Sequence, residues 1–196
     1  MRTMKTEFYL FRHGQTDMNA ARRWQGAGID VPLNGEGAAQ ARALAGNLAG
    51  RGIRAVYTSP LLRAKQTAEI VAAALKVPVG VRPALIEGCF GVAEGRSREE
   101  LSVLYPDILP RWENLDDKDF DARFPGGESR REIQRRILDD LAAIAETEPY
   151  GCVGISGHSA TIRCVLFAFG VKMTVVPHGE PFRIVRENGK FSFCPA

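Results

Sequence analysis

The chain has 196 residues, of which 45% are hydrophobic and 25% are charged, and its formal net charge is +3. This length and composition predict one globular domain that buries its own core, and they argue against intrinsic disorder. The positive residues are spread along the sequence, which favours local anion binding over a nucleic-acid-binding tail. We therefore expect no nucleic acid as a partner. No apolar stretch is long enough for a signal peptide or a membrane span, so we expect no membrane as a partner either.

The cysteines point to a reducing compartment. They lack metal-ligand spacing and occur at Cys89, Cys152, Cys164 and Cys194. Three of them lie among apolar or small residues, which predicts reduced and mostly buried thiols. Because reduced thiols are typical of the cytosol, we expect a cytoplasmic protein.

Apolar strands alternate with amphipathic helices along most of the chain. The pattern predicts strands at 7–11, 54–58, 79–82 and 152–156, a terminal hairpin of 182–187 with 190–194, and helices at 35–50, after 60, from 129 and at 160–169. Helices that separate apolar strands imply a mainly parallel sheet covered on both faces. We therefore predict an α/β fold, a three-layer sandwich, as a single domain over 1–196.

Three helix starts carry capping signals. Asn34 is placed to cap the helix predicted at 35–50. Ser59 and Pro60 read as an N-cap followed by a proline at the first helical position. Ser129 and Glu132 have the spacing of a capping box.

Residues 88–127 interrupt the alternation. The segment is rich in Gly, Pro, Arg, Asp and Trp, which suits one or two short helices. We assign it as a cap insertion over the ligand crevice. Composition alone is equally compatible with surface decoration.

Reactive side chains follow several predicted strands. Arg12 and His13 come after the first strand, Arg63 lies in the first turn after the second, and Glu87 follows Leu85-Ile86. His158 stands between the 152–156 strand and the next helix. In a parallel sheet these segments emerge at one carboxyl edge. Arginines can bind nonbridging phosphate oxygens, an imidazole can attack phosphorus, and a carboxylic acid can protonate the leaving oxygen. The set predicts phosphoryl binding and transfer.

The same residues belong to motifs that run in order along the whole chain. They are Arg12-His13-Gly14-Gln15-Thr16 with Asn19, Arg23-Trp24-Gln25-Gly26, Asp30-Val31-Pro32-Leu33, Gly37-x-x-Gln40-Ala41, Thr58-Ser59-Pro60-Leu61-x-Arg63-Ala64-x-Gln66-Thr67-Ala68, Glu87-x-x-Phe90-Gly91-x-x-Glu94-Gly95, Pro125-Gly126-Gly127-Glu128-Ser129, and His158 with Ile162-Arg163. Together they resemble the histidine phosphatase superfamily, the branched family of phosphoglycerate mutases and related phosphatases.

The resemblance implies a role for each matching residue. His13 is the nucleophile that becomes phosphohistidine, and Glu87 is the proton donor to the leaving group and then the base for water. The implied phosphate pocket and its rim consist of Arg12, Asn19, Gln25, Gly26, Arg63, His158 and Ser159. Guanidinium and imidazole charges take the place of Mg²⁺ in this chemistry, so we expect no metal and no other cofactor. The expected partner is a small phosphate ester.

Two departures from the family pattern stand out. Ala93 replaces a frequent Trp before the third-motif Glu-Gly, which we expect to alter packing under the cap. Ser159-Ala160 replaces the Gly-Gly that usually follows the second His. If that first Gly position needs a positive φ, Ser159 is strained by about 1 kcal/mol, with Gly157 placed to absorb part of the difference.

Other functions fit the sequence less well. A serine hydrolase is suggested by Gly157-His158-Ser159-Ala160-Thr161, but this motif lacks its final Gly, and no Asp or Glu occurs within 160–177 to orient His178. A phosphoglycerate mutase of this family is typically longer and carries paired arginines, whereas Arg111 and Arg123 are isolated here. A noncatalytic phosphoryl-binding regulatory module would be marked by loss of His13 or Glu87. A metal-free phosphatase acting on a small organic phosphate is therefore favoured.

The remaining conspicuous residues are interpreted as structural. His178 reads as a solvated turn residue, and Trp24 and Trp112 read as packing residues. Solvated helix faces are predicted for Arg98, Arg130, Arg131, Arg135 and Arg136. The sequence leaves the natural substrate open among sugar phosphates, phosphoglycerates and nucleotide-derived phosphates, and it leaves both monomer and dimer open.

Overall fold

A six-stranded sheet forms the middle layer of the computed structural model, which describes residues 5–147 and 151–195. The strands are β1 (Lys5–Arg12), β2 (Val56–Thr58), β3 (Val79–Val81), β4 (Cys152–Gly157), β5 (Pro181–Glu187) and β6 (Lys190–Cys194). Their order is β3-β2-β4-β1-β5-β6. The first four are parallel, and β5 and β6 form the antiparallel terminal hairpin. The predicted mainly parallel sheet is confirmed.

Helices cover both faces of this sheet. They are α1 (Asp17–Ala20), α2 (Gly35–Leu48), α3 (Leu62–Leu75), α4 (Arg98–Leu104), α5 (Leu109–Glu113), α6 (Arg130–Thr147) and α7 (Ser159–Phe167). Within β1, Tyr9 and Phe11 pack with α2 and α3, while Phe8 and Leu10 pack with α6 and α7. Successive side chains of a strand point to opposite faces, so one buried strand supplies both cores. The predicted three-layer α/β sandwich is confirmed.

Two of the predicted helix starts are confirmed. Asn34 Oδ1 accepts the Gly37 N–H at the start of α2. Ser129 Oγ accepts the Glu132 N–H, and Glu132 Oε2 accepts the Ser129 N–H, which completes the capping box of α6. Both caps act over three residues, so local sequence specifies them.

The third helix start was predicted wrongly. The N-cap of α3 is Leu61, and the helix begins at Leu62. Ser59 still pairs with the sheet, since its N–H donates to the Ser156 carbonyl. The Leu62 N–H donates instead to Asp30 Oδ1, at 2.6 Å. A side chain from a distant loop caps this helix, and a local pattern contains no signal of it.

Residues 88–127 hold two short α-helices, α4 and α5, as predicted. An aromatic cluster attaches the segment to the rest of the chain, with Trp24 packed edge to face against Phe90 and Phe124. Trp112 packs against Phe90 and is 3% exposed. Trp24 and Trp112 are therefore packing residues, as expected.

The prediction of mostly buried cysteines was wrong. The four thiols are free, and only Cys164 is buried, while Cys89, Cys152 and Cys194 are partly exposed. These three lie at a loop or at strand ends, where a small apolar neighbourhood in sequence does not enclose a side chain. In the described ranges, no helix is both long and apolar enough to cross a lipid bilayer.

Candidate active site

The predicted site residues meet at the carboxyl ends of the parallel strands. They surround a cavity of about 180 Å³, lined by Arg12, His13, Asn19, Gln25, Gly26, Arg63, Glu87 and Ser159, together with Arg23, Trp24, Phe90, Trp112, Ala160 and Arg163. His158 lies fully buried beside them, and its ring centroid is 5.2 Å from that of His13. The structure thus brings together the residues that were predicted for the site.

His13 is held with one ring nitrogen directed at a carbonyl. Its backbone N–H continues the sheet pairing by donating to Gly157, and Nδ1 lies 2.7 Å from the Gly14 carbonyl oxygen. Since a carbonyl only accepts, Nδ1 carries the hydrogen, and Nε2 of the neutral ring keeps a lone pair. Burial, and then the positive charges of Arg12 and Arg63, hold the pKa of His13 well below its usual range. The ring is therefore neutral at physiological pH, and its Nε2 carries no hydrogen.

The backbone of the loop after β1 packs directly against the backbone at the start of α2. A Cβ on Gly14 would lie 2.2 Å from the Gly37 carbonyl oxygen, and one on Gly37 would lie 2.1 Å from that of Gln15. Any side chain at either position would push the loop away from the helix. Both glycines therefore let the backbone beside His13 pack against α2.

Arg12 and Arg63 are bound by neutral backbone oxygens. Arg12 Nη1 donates to the Val176 carbonyl, while Arg63 donates to the carbonyls of Ile29 and Gly26. In the described part of the chain, the Nε atom of each is buried without a hydrogen-bond partner. Burial lowers the pKa of Arg12 to about 10 and also lowers that of Arg63. Because a guanidinium is strongly basic, both remain charged at neutral pH. Among the described residues neither guanidinium forms a direct ion pair with a carboxylate, which suits both to an anionic ligand.

His158 is the N-cap residue of α7, with an extended backbone at φ −135° and ψ 168°. Its Nε2 lies 2.7 Å from Ser59 Oγ, and that hydroxyl oxygen also accepts the Leu61 N–H. The Ser59 hydroxyl hydrogen is thus available to His158 Nε2, which leaves Nδ1 buried with no partner among the described residues. Burial and the nearby Arg63 hold the pKa of His158 well below its usual range.

The Glu87 carboxylate is held by backbone amides. Its Oε1 accepts the Gly88 N–H at 2.9 Å, and the two oxygens lie 3.3–3.4 Å from the N–H groups of Thr161 and Ala160 at the start of α7. The side chain is 6% exposed and lines the cavity. The Glu87 carboxylate therefore lies at the N-terminus of α7, the helix end that also carries His158 and Ser159.

Arg136 holds the segment that carries Glu87. Its guanidinium donates to the carbonyls of Ala84, Ile86 and Glu87, and it pairs with the Glu128 carboxylate. Arg130 is also buried, at 4% exposure, with its guanidinium over the Phe120 and Trp112 rings. The prediction that these two arginines are solvated was wrong, because their partners are loop carbonyls and rings from other segments.

Asn19, Gln25 and Ser159 were predicted to lie at the phosphate pocket or its rim, and Ser159 was expected to have a strained backbone. Asn19 forms a capping box with Thr16, Gln25 is 6% exposed, and both residues line the cavity. Neither Ser159 nor Gly157 has a positive φ, so the strain expected at Ser159 is absent. The extended backbone of His158 makes the turn into α7, and Ser159 enters the helix with ordinary angles.

His178 is the residue that the sequence interpretation missed. Its Nδ1 lies 2.6 Å from the His13 carbonyl oxygen, and the two ring centroids are 5.9 Å apart. The turn context of His178 carries no sign of this contact, because 165 residues separate the partners.

Beside the cavity, a groove of about 500 Å³ is lined by Trp24, Trp112, Arg163, Thr174 and Val175, among others.

Comparison with known proteins identifies the class. The family model of the histidine phosphatase superfamily (branch 1) matches residues 8–184, and the chain belongs to this family. A solved structure with the same fold, Bacillus stearothermophilus YhfR, superposes with a TM-score of 0.84 at 27% identity, covering 96% of this chain and 95% of that one.

The relatives carry phosphatase and mutase names. The chain is 34% identical over 176 residues to "Uncharacterized phosphatase PhoE" of Bacillus subtilis, covering 90% of this chain and 80% of the relative. It is 34% identical over 173 residues to "Probable phosphoglycerate mutase GpmB" of Serratia proteamaculans, covering 88% and 69%. "Bifunctional protein Rv2228c" of Mycobacterium tuberculosis is longer: the chain is 42% identical over 133 residues and spans about a third of it, 35%.

Proposed function

We propose that this protein is a metal-independent phosphomonoester hydrolase that works through a phosphohistidine on His13. One observation carries the proposal: a neutral His13 whose Nδ1–H is bound to Gly14 stands in one cavity with two carbonyl-bound arginines and Glu87. The nucleophile, the positive charge and the proton donor that the reaction needs are then within one small volume.

In the first step, His13 Nε2 attacks phosphorus while the ester P–O bond breaks. The alcohol oxygen leaves with the bond electrons and takes a proton from the Glu87 carboxylic acid. Arg12, Arg63 and the His158 Nδ1–H bind the nonbridging oxygens, on which charge is concentrated as the phosphoryl group transfers. The products are the free alcohol, the phosphohistidine and the Glu87 carboxylate.

In the second step, water attacks the phosphohistidine from the side that the alcohol has left. The Glu87 carboxylate accepts a proton from this water as the N–P bond breaks. The electrons of that bond return to Nε2, which restores neutral His13, releases inorganic phosphate and leaves Glu87 protonated for the next turnover.

The groove beside the cavity supports a role for residues 88–127 as a cap that selects the leaving group. Trp112 from this segment lines both the cavity and the groove. Arg111 and Arg123 are already paired with Asp119 and Glu132. They offer no free pair of guanidiniums for a substrate carboxylate, which favours hydrolysis over the mutase reaction.

The test is hydrolysis of p-nitrophenyl phosphate by purified protein in a chelator, followed by a screen of phosphorylated metabolites. Brief incubation and an alkaline quench should preserve a phosphoryl group on the His13 peptide, detected by mass spectrometry. Phosphoryl label on Ser159 instead would contradict the mechanism. Interconversion of phosphoglycerates that exceeds their hydrolysis would assign the protein to the mutases.

A further inference from the structure

The loop between α7 and β5 is hydrogen-bonded to the end of β1 through two of its residues, Val176 and His178. Val176 accepts from Arg12 Nη1 at 2.9 Å, and His178 contacts the His13 carbonyl at 2.6 Å. Thr174, two residues earlier, accepts from Arg163 Nη1 at 2.8 Å. The loop therefore contacts the backbone of the proposed nucleophile as well as the side chain of the residue before it.

The direction of the His178 hydrogen bond follows from its partner. A carbonyl oxygen only accepts, so His178 Nδ1 carries the hydrogen and Nε2 does not. Burial, and then the charge of Arg12, lower the pKa of His178 to about 4. At neutral pH the ring is thus an uncharged donor. His178 is partly buried, and it is not one of the residues that line the cavity.

This bond holds one end of a peptide unit whose other end is also held. The His13–Gly14 peptide has its carbonyl bound by His178, and its N–H donates to Thr67 Oγ1 at 3.1 Å. The Thr67 hydroxyl in turn donates to the Arg63 carbonyl at 2.8 Å. The next carbonyl, that of Gly14, accepts from the His13 ring itself. The orientation of the ring therefore depends on how this peptide plane is fixed.

We propose that His178 is a positioning residue, which fixes the His13–Gly14 peptide plane and thereby aims Nε2 of His13 at phosphorus. The inference rests on the proposed function, since it takes His13 as the nucleophile. Without the His178 donor, the Thr67 contact holds the peptide at its N–H end alone, so the peptide plane can tilt and change the direction of the His13 ring. Misplacement of a reacting atom by about 1 Å costs on the order of 100-fold in rate.

Three substitutions separate the donor from the ring that carries it. The amide nitrogen of His178→Asn occupies the place of Nδ1, whereas that of His178→Gln reaches the place of Nε2. His178→Leu has nearly the shape of Asn and has no donor. The measurement is single-turnover release of p-nitrophenol from p-nitrophenyl phosphate, with competitive inhibition by inorganic phosphate as the readout of anion binding.

We expect His178→Asn to react close to the wild-type rate, and His178→Gln and His178→Leu to lose on the order of 10- to 100-fold. Inhibition by phosphate should be the same in all of them, because Arg12 and Arg63 are untouched. Equal rates for Asn and Gln, or a loss of phosphate binding that parallels the loss of rate, would overturn the inference.

Two controls keep these outcomes distinct. If a variant does not fold, the ¹⁵N shifts of the wild-type His178 ring decide: protonated Nδ1 supports the inference, and protonated Nε2 overturns it. Activity that survives His13→Ala would reject the proposed function itself, whatever the His178 variants show.

Discussion

The strand-end pocket and the 88–127 segment both contain several arginines, but they use them in opposite ways. In the pocket, Arg12 and Arg63 are bound by carbonyl oxygens and keep their net charge. In the segment, Arg98 pairs with Glu113 through two bonds of 2.7 Å, and Arg111 pairs with Asp119. The first arrangement leaves positive charge for a ligand, whereas the second neutralises it.

This difference assigns separate tasks to the two regions. Guanidiniums without carboxylate partners attract an anion, so the proposed phosphate binding is expected at the strand ends. The neighbouring segment lines the cavity with Phe90 and Trp112, which are almost fully buried in the aromatic cluster, and it is expected to act by shape. Substitutions in the pocket should affect every substrate alike, and substitutions in the segment should discriminate between substrates.

The largest effect is expected from His13→Ala. Turnover should fall on the order of 10⁴-fold or more for every phosphate ester, and the phosphoenzyme should disappear, because no other group replaces the nucleophile. Thermal unfolding should show an intact fold. Arg131→Gln, which breaks exposed pairs with Asp117 and Asp121, is the control that should leave turnover unchanged. A phosphoenzyme detected in His13→Ala would contradict the assignment.

Glu87 lies where the two regions meet, and its effect should depend on the leaving group. Glu87→Gln keeps the shape but has no proton to donate. Single-turnover formation of the phosphoenzyme should slow on the order of 10²- to 10⁴-fold for alkyl phosphates. With p-nitrophenyl phosphate it should slow far less, since p-nitrophenolate leaves unaided. Equal slowing for both substrates would mean that Glu87 acts in positioning or only as the later base.

Within the pocket, Arg63 should matter more than Asn19. Arg63 offers charge-assisted hydrogen bonds, about twice as strong as the neutral bond available from Asn19. We expect Arg63→Ala to lower turnover on the order of 10²- to 10³-fold, and Asn19→Ala by about tenfold. Inhibition by inorganic phosphate should weaken in the same order. Comparable losses would show that net charge does not decide binding in this pocket.

Substitutions in the 88–127 segment should change the KM for some substrates and not for others. Trp112→Phe keeps an aromatic ring in the cluster but makes one side chain that lines the groove smaller. The KM for a bulky aryl phosphate should rise by up to about tenfold, with kcat unchanged, and the KM for a small alkyl phosphate should stay constant. A parallel change for both substrates would erase the proposed division of tasks.

The smallest effect concerns the share of one residue, His178, in the pH dependence of stability. Burial holds the pKa of His13, His158 and His178 below the value of about 6.5 that unfolded histidine has. Below pH 6.5 the unfolded chain therefore binds protons that the folded protein does not. The free energy of unfolding should fall from pH 6.5 to 5, by up to about 1.4 kcal/mol per pH unit for each histidine. Urea denaturation at a series of pH values should show that the free energy of unfolding falls less steeply with decreasing pH for His178→Asn than for the wild type. An unchanged pH dependence would contradict the pKa of about 4.

Much of the fold follows from local pattern. Strand and helix periods, the Asn34 cap and the Ser129–Glu132 capping box depend on neighbours within a few residues, and the structure confirms them. The motif residues were also predicted to converge, because parallel strands end at one edge of their sheet. The sequence by itself determined the layers, the edge that carries the site and the chemical groups at that edge.

Tertiary structure alone decided how those groups are held. Asp30 caps α3 from a loop 32 residues away, Arg136 binds the carbonyl of Glu87, and His178 binds that of His13 across 165 residues. The partner in two of these contacts is a backbone carbonyl, which every residue has, and in the third it is a backbone N–H. A side chain that binds a distant backbone group therefore leaves no recognisable pair in the sequence, and only the folded chain brings the two together.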